Sequence, residues 1–264
     1  MADLDLQPAE LNQRLIAQYT EIARLVGGLA HEIKNPLSTI GLNMELLAED
    51  FQGDESPRAR RSLAKIQIVQ QECQRLQDVL DDFLNFAKVR ELKLEPVDLN
   101  DLLRQMLEFY RPTADEANIE LLPFLRSDLP SVLVDRESFR GALFNLIVNA
   151  RQAMPDGGRL MVATEFTARG VALVLIDTGC GMDKETLGRI FETFYSTKPG
   201  GSGLGLPTVR KIIEAHGGRI LVQSEPGVGT QFVIELPVPA RLEEQDASAL
   251  STLNLRVPED GGAV

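Results

Sequence analysis

His31 is one of only two histidines in this chain of 264 residues, and its neighbours suit it to nucleophilic chemistry. A neutral imidazole has one nitrogen whose lone pair can attack phosphorus, and its other nitrogen carries a proton. Glu32 can stabilise that proton, and Asn35 lies one helical turn further on. At about 100° per helical residue, His31 falls opposite Leu29 and Ile33, so we expect its ring to face solvent. Taken alone, an inert surface histidine explains the same residues.

Asn145 and Asn149 are a second candidate, because they are four residues apart on one predicted helix. This spacing puts both side chains on one face, so that two amide oxygens can approach one ion. Magnesium prefers oxygen ligands, and neutral amides are adequate when phosphates share the ion. An asparagine pair alone is also typical of capping or of a polar surface.

The run Asp177-Thr178-Gly179-Cys180-Gly181-Met182 stands at the end of a predicted apolar strand. A carboxylate that emerges where a strand stops can accept a hydrogen bond from an adenine amino group. Gly179 and Gly181 permit backbone conformations and a close ligand approach that side chains would block. As a bare turn, this pattern can also be purely structural.

Gly201, Gly203, Leu204 and Gly205 lie where a predicted helix begins. Exposed backbone N–H groups and the positive end of the helix dipole make such a place ready for phosphate. Lys198 can add a mobile positive charge over the same group. A glycine run of this kind is a weak signal by itself, and it does not follow the strand of a dinucleotide-binding unit.

The elements that must position these residues fall into two parts, of which the first is helical. Apolar residues recur every seven positions in one column, and a second column accompanies it. The first column is Tyr19, Val26, Ile33, Ile40 and Leu47, and the second is Leu15, Ile22 and Leu29. After a polar turn at residues 52–57, a second helix carries Ile66, Val69, Cys73, Leu76, Leu80, Phe83 and Ala87. An isolated antiparallel hairpin of two helices leaves much of its apolar stripe exposed to solvent, so we expect two hairpins to form a homodimeric four-helix bundle. We expect Cys73 to be a core residue of this bundle.

The second part, after Glu95-Pro96, has mixed α and β patterns. The periodicity predicts helices over Leu99–Tyr110, Arg136–Met154 and Leu204–His216. It predicts strands over Ile119–Leu125, Arg159–Phe166, Val171–Asp177, Arg219–Ser224 and Gln231–Leu236. These elements indicate an α/β sandwich with helices on one side of a mixed sheet. His216, just before two glycines, is expected to be structural.

Bulk properties exclude several classes of function. The formal net charge of −12 and the pI near 4.8 disfavour nonspecific binding to nucleic acid or to an anionic membrane. No apolar run reaches the length of a membrane span, and no basic, apolar leader begins the chain, so we expect a cytoplasmic protein. Cys73 and Cys180 have neither a disulfide nor a zinc spacing.

Two resemblances combine these signals. The run from Gly28 to Leu37, GLAHEIKNPL, resembles the H-box of the dimerisation and phosphotransfer domain of sensor histidine kinases. The later motifs resemble, in order, the N, G1, F and G2 boxes of the histidine kinase ATPase domain, which has the GHKL (Bergerat) fold. These are Asn145-x3-Asn149, Asp177-x-Gly179-x-Gly181, Phe191-x-x-Phe194 and Gly201-x-Gly203-x-Gly205. The resemblance covers about residues 20 to 237, and within the family the sequence is similar to kinases of the nitrogen-sensing type.

The resemblance implies a role for each matching residue. His31 is then the phosphoacceptor, Glu32 the general base, and Asn35 the amide that positions water for dephosphorylation of the partner. Magnesium is held by Asn149 with Asn145, and residues 182–206 form a mobile lid. The expected ATP-binding residues are Asn145, Asn149, Asp177, Gly179, Gly181, Lys198, Gly201, Gly203, Leu204, Gly205 and Thr230. Gln152 stands where many family members carry a lysine near the phosphates, so Lys198 or Arg151 is expected to supply more of the positive charge there.

The expected function is an ATP-dependent protein-histidine kinase that passes its phosphoryl group to an aspartate of a response regulator, with phosphatase activity towards that regulator also open. The expected domains are an extension at 1–14, the hairpin at 15–92, the ATPase domain at 97–238 and a polar, aperiodic tail at 239–264. Three rivals remain: a nucleotide-gated clamp ATPase, a noncatalytic dimeric adaptor, and a serine kinase of the anti-sigma type. The input signal, the cognate regulator and the choice between cis and trans phosphorylation stay open.

Overall fold

The computed structural model describes residues 32–54, 56–87, 92–198 and 201–238. The chain divides into two compact units. The first contains the residues up to Glu91 together with Arg189–Thr208, and the second contains Leu92–Gly188 together with the residues from Val209 onward. His31 lies outside the described residues. Within the described ranges, no helix is both long enough and apolar enough to cross a membrane.

A two-helix hairpin dominates the first unit, as predicted. Helix α1 covers residues 32–49 of the described chain, and α2 covers Pro57–Ala87. In the turn between them, the Asp54 carboxylate accepts a hydrogen bond from the Ser56 N–H at 2.8 Å. The Ser56 hydroxyl then accepts from the Ala59 N–H at 3.1 Å, and a proline takes the first helical position. A serine cap followed by proline is a strong helix start, which explains why the polar turn was predictable.

The hairpin buries only part of the predicted apolar seam. Ile66 and Cys73 of α2 are 5% and 7% exposed, so the expected core position of Cys73 is confirmed. Leu37 of α1 is also buried, whereas Val69 and Leu76 of α2 stay exposed. The described members of the seven-spaced column on α1 are all exposed, namely Ile33, Ile40 and Leu47. One apolar row therefore closes the hairpin, and a second row remains on its surface.

The second unit is built on a five-stranded sheet. Its strands are β2 (Ile119–Leu125), β4 (Gly158–Thr167), β5 (Gly170–Asp177), β6 (Arg219–Glu225) and β7 (Gly229–Pro237), in the order β2-β4-β5-β7-β6. Strands β2 and β4 are parallel and the other pairs are antiparallel, so the predicted mixed sheet is confirmed. Two further strands, β1 (Glu95–Val97) and β3 (Val132–Val134), form a small antiparallel pair that the sequence did not predict. The edge strand β2 contains Pro123.

Rows of apolar residues across the strands make the sheet's buried face. In one row Val162 of β4 stands opposite Leu175 of β5, which stands opposite Phe232 of β7. The next row places Thr164 beside Leu173 and Ile234, and all of these residues are buried. Because side chains alternate along a strand, the registers that align these rows also fix which residues stand at the strand ends.

Helices α3 (Leu99–Glu116) and α4 (Arg136–Ala153) lie in this second unit, together with most of α5 (Lys184–Arg189) and most of α6 (Gly205–Ala215). Helix α3 packs on β2 and on α4. It continues six residues past its predicted end and passes through Pro112, because the buried Ala114 extends the same apolar stripe. The short helix α5 has no buried residue and was not predicted.

Candidate active site

The end of β5 holds the most constrained of the predicted site residues. Asp177 is the last residue of the strand and is only 5% exposed, although it carries a carboxylate. Its Oδ1 accepts a hydrogen bond from the Gly179 N–H at 2.9 Å. Across the sheet Asp177 pairs in register with Thr230, which is also buried. A buried carboxylate is costly unless it is hydrogen-bonded, and this loop supplies that bond.

Gly179 must be glycine because no volume is available for a side chain. A Cβ there would lie 2.7 Å from both the Cβ and the carbonyl oxygen of Ala153, the last residue of α4. It would also lie 2.8 Å from Oδ1 of Asp177. The next residue, Cys180, donates its N–H to the same Ala153 carbonyl at 3.0 Å. The end of α4 and the end of β5 are thereby fixed to each other.

Gly181 is also required by geometry. Its φ is +65°, and a Cβ would overlap the carbonyl of Glu225. The loop is held on this side by Ser224, whose hydroxyl accepts from the Met182 N–H at 2.9 Å and lies 3.0 Å from the Thr230 hydroxyl. Ser224 was not predicted, because a serine inside a strand carries no signal of its own. It joins the loop after Asp177 to the predicted adenine-side residue Thr230.

Helix α4 carries both predicted magnesium ligands. Asn145 and Asn149 are half-buried and lie one turn apart. The helix starts at Asp135, whose carboxylate accepts the Ser138 N–H at 2.9 Å. Hydrogen bonds from Ser138 lower the pKa of Asp135 to about 2, since they stabilise its charged form. The aspartate cap and its negative charge suit a helix N-terminus.

His216 fixes the start of α4 to the segment after α6. Its Nε2 accepts a hydrogen bond from the Asp135 N–H at 2.9 Å, so Nδ1 bears the proton and donates to the Ile212 carbonyl at 2.7 Å. The ring is buried and meets the Phe139 ring edge-on, with centroids 5.8 Å apart. Both nitrogens are used within the fold, which supports the structural role expected for this histidine.

The predicted phosphate-binding segment belongs to the first unit. Lys198 is half-buried, and its N–H donates to the Ser196 hydroxyl at 3.2 Å, while its carbonyl accepts from the Gly201 N–H at 3.1 Å. Gly203 has a φ of +68° and accepts the Phe194 N–H at 3.1 Å. Residues 199 and 200 lie outside the described chain. The segment is thus turned back on itself by backbone hydrogen bonds.

Further contacts anchor this segment within its unit. Leu204 is fully buried, and its carbonyl accepts the Thr208 hydroxyl at 2.6 Å. The Ser202 hydroxyl donates to Asp82 of α2 at 2.5 Å, and the Phe194 ring lies 6.4 Å from that of Phe83. Phe194 has the positive φ of +65°, which is strained for an aromatic residue.

Of the predicted residues on the hairpin, two are described. Glu32 and Asn35 are both exposed on α1, so each can reach a ligand from solvent. The Asn35 backbone carbonyl accepts the Thr39 hydroxyl at 3.0 Å. On the same helix, Lys34 forms an ion pair with Asp81 of α2 at 2.5 Å. This ion pair ties α1 to α2 three residues after the predicted phosphoacceptor.

The described residues hold no group of three or more His, Cys, Asp or Glu side chains that could bind a metal ion. The amides of Asn145 and Asn149 are hard oxygen donors at helical spacing, and they suit an ion that keeps most of its water and shares phosphate oxygens.

Two family models match this chain. The "His Kinase A (phospho-acceptor) domain" matches residues 21–92, and the "Histidine kinase-, DNA gyrase B-, and HSP90-like ATPase" matches residues 134–240. Sporulation kinase E of Bacillus subtilis is 32% identical over 239 residues, which are 89% of this chain and 31% of that protein. The sensor histidine kinase ZraS of Escherichia coli is 35% identical over 82% of this chain and 46% of its own length. The chain spans about a third to a half of the curated relatives it matches.

Solved structures resemble the chain in the same way. Full-length ShkA in complex with AMPPNP has a TM-score of 0.63 at 31% identity and covers 81% of this chain and 45% of its own. The histidine kinase ThkA in complex with the response regulator TrrA has a TM-score of 0.62 at 25% identity, over 89% of this chain and 68% of its own.

Proposed function

Because this chain belongs to the two-component sensor histidine kinases, we propose that it phosphorylates its own His31 with ATP and passes the phosphoryl group to an aspartate of a response regulator. The buried Asp177 carboxylate supports this most strongly. It is fixed by Gly179 at a strand end, opposite Thr230, in a loop where glycine is required. An adenine amino group needs such a preorganised acceptor.

In this proposal the nucleotide binds through its base and its phosphates. Asp177 accepts a hydrogen bond from the adenine amino group, and the Thr230 hydroxyl supports that side of the base. The glycines at 201, 203 and 205 line the phosphates where α6 begins, since the positive end of a helix dipole favours an anion. Lys198 adds a positive charge there, as the resemblance to the family implies.

Asn149 and Asn145 would hold a magnesium ion in the proposed complex. When bound, the ion neutralises the charge that develops on the phosphate oxygens. The two asparagines contribute neutral oxygen ligands, so they add no negative charge close to the triphosphate. Their position on α4 is fixed at one end by the Asp135 cap and at the other by the contact of Ala153 with Gly179.

The transfer itself is an in-line displacement. A neutral nitrogen of His31 forms a bond to the γ-phosphorus while the bond from that phosphorus to the oxygen bridging to the β-phosphate breaks, and ADP leaves. The proton on the other imidazole nitrogen is shared with Glu32, which accepts it as positive charge develops. Positioning supplies most of the catalysis, because phosphoryl transfer leaves little covalent work to the protein. In a separate hydrolysis, Asn35 would orient the water that attacks the aspartyl phosphate of the regulator, so that inorganic phosphate leaves and the free aspartate is restored.

We also propose that the chain acts as a homodimer in the cytoplasm, where ATP is available. The exposed column of Ile33, Ile40 and Leu47 on α1 supports a dimer, since such a row is buried when two hairpins form a four-helix bundle. Ile40→Asp should then give monomers in sedimentation velocity. Leu42→Asp is the matched control, because Leu42 is 56% exposed and points about 200° away from Ile40.

Radiolabelled ATP tests the chemistry. The wild-type chain should acquire an acid-labile label, and His31→Gln should lose it while still binding a fluorescent ATP analogue. Glu32→Gln should bind ATP equally and label more slowly. The labelled chain is then mixed with purified receiver domains to find the acceptor.

Each rival gives a different result in these assays. Undiminished acid-labile labelling of His31→Gln contradicts the assignment of the phosphoacceptor. ATP hydrolysis without any phosphoprotein indicates a clamp ATPase, and failure to bind ATP indicates an adaptor. An acid-stable label on a separate protein indicates a serine kinase.

A further inference from the structure

An apolar groove runs along α3 and α4, and none of its lining residues is assigned to the nucleotide. Its volume is about 320 Å³, and its lining is Met106, Phe109, Glu137, Arg140, Gly141 and Phe144. Phe109 is 66% exposed and Phe144 is 42% exposed. Two neighbouring aromatic rings exposed in a concave surface are typical of a binding site rather than of a solvated helix face.

The groove has a charged side as well as an apolar floor. The Arg140 guanidinium lies over the Phe109 ring, 5.8 Å from its centroid. Gly141 leaves space between the two helices, since nothing stands within 4 Å of where its Cβ would be. A suitable occupant therefore has a few apolar side chains at helical spacing and carboxylates close to one end.

The last described strand, β7, ends close to the N-terminal end of α4. Pro237 ends β7, and its Cγ lies 3.5 Å from the position of a Cβ on Gly217. The residue before Gly217 is His216, which accepts the N–H of Asp135, the cap of α4. Glu137, in the first turn of α4, already lines the groove. The chain therefore leaves the sheet beside the mouth of the groove.

The residues that follow have suitable lengths and side chains. Leu250 is the twelfth residue after Val238, and the fully extended chain between them spans about 40 Å, more than the roughly 27 Å length of α4. Leu250, Leu253 and Val257 follow the i, i+3, i+7 spacing of helix anchors in a groove. The acidic residues Glu243, Glu244 and Asp246 precede them, and their charge is opposite to that of Arg140.

We propose that the segment Leu250–Val257 of this chain binds in the groove between α3 and α4. Its three anchor residues cover the rings of Phe109 and Phe144, and the acidic stretch before them lies near Arg140. The contact is intramolecular and belongs to the ATPase domain. It does not depend on the phosphotransfer chemistry proposed above, so either proposal can fail alone.

Photocrosslinking in the full chain tests this contact. Leu253 is replaced by p-benzoylphenylalanine, and in a second protein Leu255 is replaced instead. Leu255 is the matched control because it has the same side chain and lies about 200° from Leu253 on a helix. After irradiation, mass spectrometry should find Leu253 crosslinks on peptides containing Phe109 or Phe144, at least about fivefold more than from Leu255, as expected for an interfacial anchor.

Phe109→Ser in the same chain provides the second measurement. Its ring is largely exposed, so the fold should persist and ATP binding should be unchanged. Loss of one aromatic anchor should lower the crosslink yield by about fivefold or more. Mixing isotopically heavy and light chains separates crosslinks within one chain from crosslinks between chains.

Four outcomes overturn the proposal. They are equal yields from positions 253 and 255, crosslinks to other parts of the chain, yields that Phe109→Ser leaves unchanged, and crosslinks that join heavy to light chains. The last would mean that a second copy occupies the groove.

Discussion

Gly179→Ala is the substitution whose effect the structure defines best. The added Cβ would meet Ala153 at 2.7 Å and Oδ1 of Asp177 at 2.8 Å. The contact with Ala153 includes its backbone carbonyl, and this carbonyl has little freedom to move because it belongs to the last residue of α4. The Asp177 carboxylate must therefore shift, and the hydrogen bond from the Gly179 N–H must lengthen. The residue proposed to bind adenine would then be displaced without being mutated.

The size of the effect follows from the bond that is lost. A hydrogen bond to a charged group contributes about 1.5–3 kcal/mol. If the bond between Asp177 and adenine is lost in the variant, the Kd for ATP should rise about 10- to 150-fold. Overpacking should also lower the free energy of unfolding by about 1–3 kcal/mol.

ATP affinity is measured on the full chain by titration calorimetry, with thermal unfolding recorded beside it. Gly188→Ala is the matched control, because a Cβ at Gly188 meets nothing within 4 Å. It should bind ATP like the wild type. A folded Gly179→Ala chain whose Kd stays within about twofold of the wild type would refute the reasoning. Should Gly179→Ala not fold, Asp177→Asn tests the same adenine contact without adding volume.

Three further predictions concern the supports of the site. Asp135→Ala should lower the free energy of unfolding by about 1 kcal/mol at pH 7, because α4 loses its cap. Folding lowers the pKa of Asp135, so its contribution to the free energy of unfolding is complete above the unfolded pKa of 3.8 and disappears as the pH falls towards about 2. Near that pH, chemical denaturation should give the same free energy of unfolding for the variant and the wild type. Ser224→Ala leaves the Met182 N–H without its acceptor, so it should lower the free energy of unfolding by about 1–3 kcal/mol, measured by thermal unfolding, and should raise the Kd for ATP. Ser224→Thr keeps a hydroxyl and should retain both the stability and the ATP affinity of the wild type. Asn149→Ala should raise the magnesium concentration needed for half-maximal autophosphorylation about tenfold or more, and an unchanged requirement would contradict its role as a ligand.

The sequence predicted the long elements well and the short ones poorly. All five strands of the main sheet were expected, because each has at least seven residues and a clear run of apolar side chains. Strands β1 and β3 have three residues each, which is too short for any period to appear. Helix α5 was missed because its six residues are mostly polar and none is buried.

The end of α3 shows how packing overrides a local signal. Pro112 is a helix breaker by propensity, and the helix predicted from periodicity ended before it, at Tyr110. The helix continues to Glu116 because Tyr110 and Ala114 lie on one apolar stripe and are both buried. The proline occupies an exposed position in the last turns.

The glycines and Asp177 could be found as candidates because their spacing is a motif. The residues that position these candidates could not be found from the sequence. Ser224 supports the loop through contacts with Met182 and Thr230, and its own sequence neighbours give no sign of this. Ala153 meets Gly179 only through the packing of α4 on the end of β5. Such partners are distant in sequence, so only the register and the helix packing bring them together.

Pro123 in the edge strand β2 has a consequence for the behaviour of this domain in concentrated solution. An edge strand presents unpaired backbone groups to which another chain can add, and this is how folded domains join into sheets across molecules. A proline in the middle of such a strand removes one donor and fixes its φ, so a continuous ladder of hydrogen bonds cannot form there. Pro123→Val would restore a backbone N–H and release the fixed φ, so we expect this variant to favour association between copies of the domain.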